Sequence, residues 1–147
     1  MFSFFKKKLI IPHVRMSGVI GSVGKFKQGL DLSSQQGLLK KAFSYKKPKT
    51  VAISINSPGG SPVQSHLIYS YIRQLAKKNN TKVIIFAEDV AASGGYFIAC
   101  AGDEIYANSS SIIGSIGVIY SSFGFTEFIK KIGVERRVHT AGKNKNT

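Results

Sequence analysis

The stretch 50-TVAISINSPGGSPVQS-65 changes character twice within sixteen residues. Its first part, TVAISIN at 50–56, is almost entirely apolar or β-branched, as befits a strand covered by neighbours and central in a sheet. Ser57-Pro58-Gly59-Gly60 then breaks the strand. Ser61 stands at a helix N-cap and Pro62 at the first helical position, where a missing N–H costs nothing. The helix is predicted to run to about Lys78. Val63, Leu67, Tyr71 and Leu75 recur at four-residue steps, Ile68 and Ile72 widen that face, and Asn79-Asn80 ends it. A second core strand, TKVIIFA at 81–87, follows directly. Strand, glycine turn, helix, strand is the order of an α/β domain with parallel pairing.

Working outward, residues 9–20 (LIIPHVRMSGVI) read as a strand with Val14 and Met16 on one face, broken by Gly18, Gly21 and Gly24. Residues 31–43 fit a helix begun by Asp31 or Ser33, with Leu38, Leu39 and Phe43 as its apolar stripe. Downstream, Glu88 to Ala92 leads into Ser93-Gly94-Gly95 and a short helix from about Gly95 to Ala101. Asp103 to Ala107 reads as a short strand. Residues 108–119 are small, polar and glycine-punctuated before strand resumes. Thr126 to Lys131 reads as a helix stopped by Gly133, and Val134 to Thr140 as the last strand.

The 147 residues are 43% apolar, enough for one domain with a modest core. The 21 basic and 7 acidic side chains give a formal charge of +14. Residues 1–50 carry 11 basic groups against Asp31 alone, and residues 130–147 carry six against Glu135. The excess therefore sits at the two ends, away from the glycine-rich segments. Aromatic residues are not interleaved with arginines, so no specific nucleic-acid surface is expected. Phe2, Phe4 and Phe5 beside Lys6, Lys7 and Lys8 suit peripheral contact with an anionic membrane surface. No stretch approaches the length of a membrane span. The one cysteine, Cys100, is expected to be a buried small hydrophobe. No grouping of carboxylates and histidines suggests a metal site, and neither a phosphate-binding P-loop nor a dinucleotide turn is present, so no cofactor is expected.

Two glycine pairs, in NSPGG at 56–60 and AASGG at 91–95, follow two core strands, where ligand sites of such sheets collect. Glycine lets backbone N–H groups come close to a developing oxyanion; those near Gly59, Gly60 and Gly94 are the candidates. Ser93 is the best candidate nucleophile, with small neighbours on both sides. The same position suits a plain helix cap, and the residues alone leave both open. Ser57 competes, though its Pro neighbour reads as a turn; Ser109, Ser110 and Ser111 read as loop or cap residues. His13, His66 and His139 offer no ready triad. A lysine with a lowered pKa can replace histidine as base, and composition selects none.

The blocks VAISINSPGGSPVQS at 51–65, VAASGGYFIACAGDEIYANSSSIIGSIGV at 90–118 and GKNK at 142–145 resemble the signal peptide peptidase A family of serine proteases, peptidase family S49. The resemblance extends over nearly all of residues 11–145. It implies the ClpP/crotonase-like α/β fold of repeated β-β-α units. It also implies a Ser–Lys dyad: Ser93 as nucleophile and Lys145, in Gly142-x-x-Lys145, as general base, with Lys143 the lower-ranked alternative. Gly59 and Gly60 would border the oxyanion site, and Ser111, Ser115 and the turn Gly114-Ser115-Ile116-Gly117 would lie close to the active region. Implied substrates are peptides such as remnant signal peptides, handled by a homo-oligomer with active sites near subunit boundaries, in a bacterial cytoplasm or at an inner membrane.

Residues 1–10 are expected to form a basic tail and 11–147 the peptidase-like domain, shortened at its C-terminal end relative to the family and lacking its membrane anchor. Two other readings follow: a catalytically inactive relative serving as an assembly or membrane-surface component, and an acyl-CoA enzyme of the crotonase-like fold. The paired Ser93 and Lys145 argue against the latter.

Overall fold

A computed structural model describes residues 9–21, 29–121 and 138–141. The chain divides into two compact units, residues 1–114 and 115–147. In the first, β1 (His13–Ser17), β2 (Thr50–Ser57), β3 (Lys82–Ala92) and β4 (Glu104–Ala107) pair in that order, all parallel. A short β5 (Ile112–Gly114) pairs with the far end of β3, also parallel. Helices α1 (Leu32–Ser44), α2 (Pro62–Asn79) and α3 (Gly94–Ala99) connect the strands. Within the second unit, β6 (Val118–Ser121) and β7 (Val138–Ala141) pair antiparallel. The expected helix at 126–131 and the start of the last strand fall outside the described residues.

The core forms where alternation along each strand turns one set of side chains toward the helices. Val14 and Met16, then Val51, Ile53 and Ile55, then Val83, Ile85 and Ala87 are all buried. Against them pack Leu39 and Phe43 of α1, Ile68 and Ile72 of α2, and Ile98 of α3. Asp31 caps α1 through a reciprocal pair of bonds with Ser34, and Ser61 caps α2 by accepting from the Gln64 N–H. Asn80, at φ 49°, closes α2 in the left-handed conformation that asparagine tolerates.

Four details depart from the sequence reading. The inward face of α2 is Ser65, Ile68, Ile72 and Leu75-Ala76, whereas Val63 and Leu67 are exposed. Ser65 holds a core position because its hydroxyl is satisfied by the Ser61 carbonyl at 2.8 Å, so a polar residue displaces the apparent stripe by a step. Leu38 of α1 is likewise exposed. Cys100 is exposed rather than buried, because Ile98, Ala99 and Ala101 take the inward positions around the end of α3. Finally, β3 runs on through Glu88 to Ala92: a bulge in β2 between Ile55 and Ser57 shifts the register, and β5 takes over from β4 as its partner.

Candidate active site

Both glycine turns lie at the carboxyl ends of adjacent parallel strands, β2 and β3. Side-chain bridges tie the end of β3 to β2 and to β1. Asn56 donates to Asp89 at 2.9 Å and accepts from the Val90 N–H at 3.2 Å. Arg15 forks onto Glu88 at 2.7 and 2.6 Å, and these hydrogen bonds hold the Glu88 carboxyl below its ordinary range despite some desolvation.

Ser93 follows β3 directly and precedes α3. Its backbone sits at φ 52°, ψ −117°, a conformation unfavourable to any residue with a side chain. Its N–H donates to the Gly114 carbonyl at 2.7 Å, and its own carbonyl accepts from the Phe97 N–H at 2.9 Å. The side chain makes no capping hydrogen bond to the helix it precedes. The local backbone is therefore fixed from both sides while the half-buried hydroxyl is left uncommitted among the described residues.

Glycines make room for this arrangement. A Cβ on Gly59 would stand 2.8 Å from Ser93 Cβ and 2.9 Å from the Gly94 nitrogen. One on Gly95 would stand 2.7 Å from the Ser57 carbonyl oxygen. The Gly94 amide is the first of α3 and has no acceptor within the helix. Gly60 bridges Ile20 in parallel fashion, with Gly59 O and Ser61 N taking the bonds, so its own N–H faces away from Ile20. The Gly59 N–H is already used: it donates to Ser57 Oγ at 3.1 Å.

Ser57 is fully buried and its hydroxyl braces the turn. Ser111 donates to the Glu88 carbonyl at 2.6 Å and the Ser110 N–H donates to Asn108 Oδ1 at 2.9 Å, as loop residues do. Ser115, at φ 54°, opens the second unit. His13 bonds Ser54 across β1 and β2, and His66 is exposed with its ring 6.1 Å from that of Phe97. Lys143 and Lys145 lie outside the described residues. Two contributors escaped the sequence reading: Ser65, packed beneath Gly94, and the Gly114 carbonyl that holds Ser93. A serine four residues after the Ser61 cap, on the inner side of a helix, was the available signal for the first.

Comparisons with known proteins bear on the family and the fold. A model of peptidase family S49 matches residues 75–147. A Brucella melitensis protein named Na(+)/H(+) antiporter NhaA is 62% identical over 138 residues, 93% of this chain but 19% of that protein. The chloroplastic serine protease SPPA of Arabidopsis thaliana is 40% identical over 98 residues, 67% of this chain and 14% of that one. Among solved structures, a membrane-bound stomatin-specific protease superposes with a TM-score of 0.63 at 20% identity, covering 80% of this chain and 53% of its own. The fold is mixed α/β with a parallel sheet, of the ClpP/crotonase-like class. This chain spans only a minor part of its curated relatives, and it belongs to peptidase family S49.

Proposed function

We propose that the chain carries a serine endopeptidase site with Ser93 as nucleophile and Lys145 as general base. The observation that carries this reading is the Ser93 backbone, held in an unfavourable conformation while its hydroxyl caps nothing. Such strain persists where surrounding structure imposes it, commonly at sites of chemistry. In the proposed reaction, neutral Lys145 takes the Ser93 proton as Oγ bonds to the peptide carbonyl carbon. The carbonyl oxygen gains negative charge, for which the Gly94 and Gly60 N–H groups are the supporting donors. The lysine then passes its proton to the departing amine as the C–N bond breaks, and water hydrolyses the acyl-enzyme. Gly59 contributes by its missing side chain, and Ser115 is proposed as a substrate-binding residue.

Peptides, including remnant signal peptides, are the proposed substrates, with a homo-oligomer completing the sites in a bacterial cytoplasm or at its inner membrane. No described helix is long and apolar enough to cross a membrane. The antiporter name belongs to proteins of which this chain matches 19%, and transport is not carried over from it.

The test is hydrolysis of casein and of fluorogenic peptides, with covalent labelling by a fluorophosphonate. Ser93→Ala and Lys145→Ala are each expected to lower turnover by about a thousandfold or more, while Lys143→Ala leaves it within a few fold. Turnover should rise with pH as the lysine loses its proton. Full activity in Ser93→Ala would sink the assignment.

A further inference from the structure

The outer edge of β1 belongs to no part of the site above. Within the β1–β2 pair, Pro12 O accepts from the Ala52 N–H and the Gly18 N–H donates to Asn56 O, both in line with the pairing of His13 opposite Ala52 and Ser17 opposite Asn56. By alternation, the backbone groups of Val14 and Met16 also turn toward β2. Those of His13, Arg15 and Ser17 turn outward, and β1 pairs with no other strand among the described residues. Beside this edge lies a cleft of about 370 Å³ between β1 and α1, lined by Pro12 to Arg15 and by Leu38, Lys41, Ala42 and Tyr45. Leu38 and Tyr45 are 54% and 46% exposed, so the helix side of the cleft presents apolar surface. No carboxylate lines it among the described residues.

We propose that the β1 edge and this cleft dock an extended peptide that carries apolar and acidic residues. Such a peptide adds a strand to the sheet through the outward N–H and C=O groups of His13, Arg15 and Ser17. Its apolar side chains rest on Leu38, Ala42 and Tyr45, and a carboxylate meets Lys41 at the rim. The charge of the surroundings selects the occupant: Lys40, Lys41, Lys46, Lys47 and Lys49 cluster near the end of α1, and no acidic residue lies between positions 40 and 49. A second copy of this chain would bring the same cations against themselves, so an acidic peptide fits and self-pairing does not. The proposal does not depend on the chemistry of Ser93.

Its test is fluorescence anisotropy with the full chain and a fluorescein-labelled octapeptide alternating valine and glutamate. Saturable binding is expected. It should weaken at least tenfold when alternate peptide amides are N-methylated, and at least tenfold when lysine replaces glutamate. Arg15→Pro removes the central outward N–H and should weaken binding tenfold or more. Arg15→Ala, which breaks the Glu88 bridge but keeps that N–H, should stay within threefold of the parent. Leu38→Asp, at an exposed position, should also weaken binding tenfold, and it decides the matter should Arg15→Pro unfold. Absence of saturable binding, equal binding of the N-methylated peptide, or unchanged binding by Leu38→Asp would each overturn the proposal. So would a dimer in sedimentation that Leu38→Asp dissociates, since the edge would then be occupied by a second copy.

Discussion

At the scale of single residues, Ser93 sets stability against chemistry. A side chain at φ 52°, ψ −117° costs on the order of 1 kcal/mol that glycine would not incur. Ser93→Gly should therefore be more stable than Ser93→Ala by about 1 kcal/mol in urea denaturation, although both lack the proposed nucleophile. Equal stability in the two variants would mean that the backbone is not strained there. Gly59→Ala is expected to act in the opposite sense. Its Cβ would meet Ser93 Cβ at 2.8 Å and the Ala92 oxygen at 2.9 Å, at a φ of 101° that already disfavours alanine. A loss of about 2 kcal/mol or more is expected, with activity falling further as Ser93 is displaced. The sequence marked Ser93 and Gly59 as members of one site because both glycine turns follow core strands. The residues alone left both the cap and the nucleophile readings of Ser93 open, because a serine before a helix looks the same in either role. The missing capping bond and the positive φ favour the proposed nucleophile.

At the scale of elements, α2 is tied to the sheet by one polar knot that the sequence does not announce. Asp103 accepts from the Val83 N–H at 2.7 Å and from Arg73 at 2.9 Å, and Arg73 also donates to the Ala101 carbonyl at 3.0 Å. Partial burial opposes the Asp103 charge, but the Val83 N–H and Arg73 outweigh it and hold the carboxyl below its ordinary range. A depressed carboxyl contributes stability that is present above its unfolded value and lost as pH falls through its folded value. Asp103→Asn should thus cost about 1–2 kcal/mol at pH 7, through the lost charge-assisted bonds. The gap from the parent should close toward pH 3, measured by urea denaturation at both pH values; a gap that persists in acid would point to packing instead. The strands and caps were legible: hydrophobic runs identified β2 and β3, and Ser61-Pro62 and Asp31 identified the starts of α2 and α1. The inward face of α2 was not, because periodicity counts apolar residues and the position beneath Gly94 is held by Ser65. The full length of β3 was hidden for a related reason. Glu88 and Asp89 look like loop, yet both are held in the strand region by partners from β1 and β2.

For the whole molecule, the division into residues 1–114 and 115–147 separates the two halves of the proposed dyad, with Ser93 in the first unit and Lys145 in the second. The buried cluster of the described residues lies entirely in the first unit, from Val14 to Ala101. So do the three strand pairings that flank the site and the Gly114 carbonyl that fixes the Ser93 amide. A fragment ending at Gly117 should therefore fold, since it retains β5 and Gly114, while losing the proposed base. Its far-ultraviolet circular dichroism should show a mixed helix and strand spectrum with cooperative thermal unfolding. Peptide hydrolysis should fall to the level of Lys145→Ala in the full chain, and fluorophosphonate labelling of Ser93 should slow with it. Labelling of the fragment at the parent's rate would show that Ser93 is activated by a group within the first unit, and Lys145 would then lose its role. An unfolded fragment would show instead that the second unit stabilises the first. This distinction lay beyond the sequence for a physical reason: Gly142-x-x-Lys145 is a short polar segment whose role comes from resemblance, whereas Ser93 stands between long apolar runs whose folding dictates its surroundings.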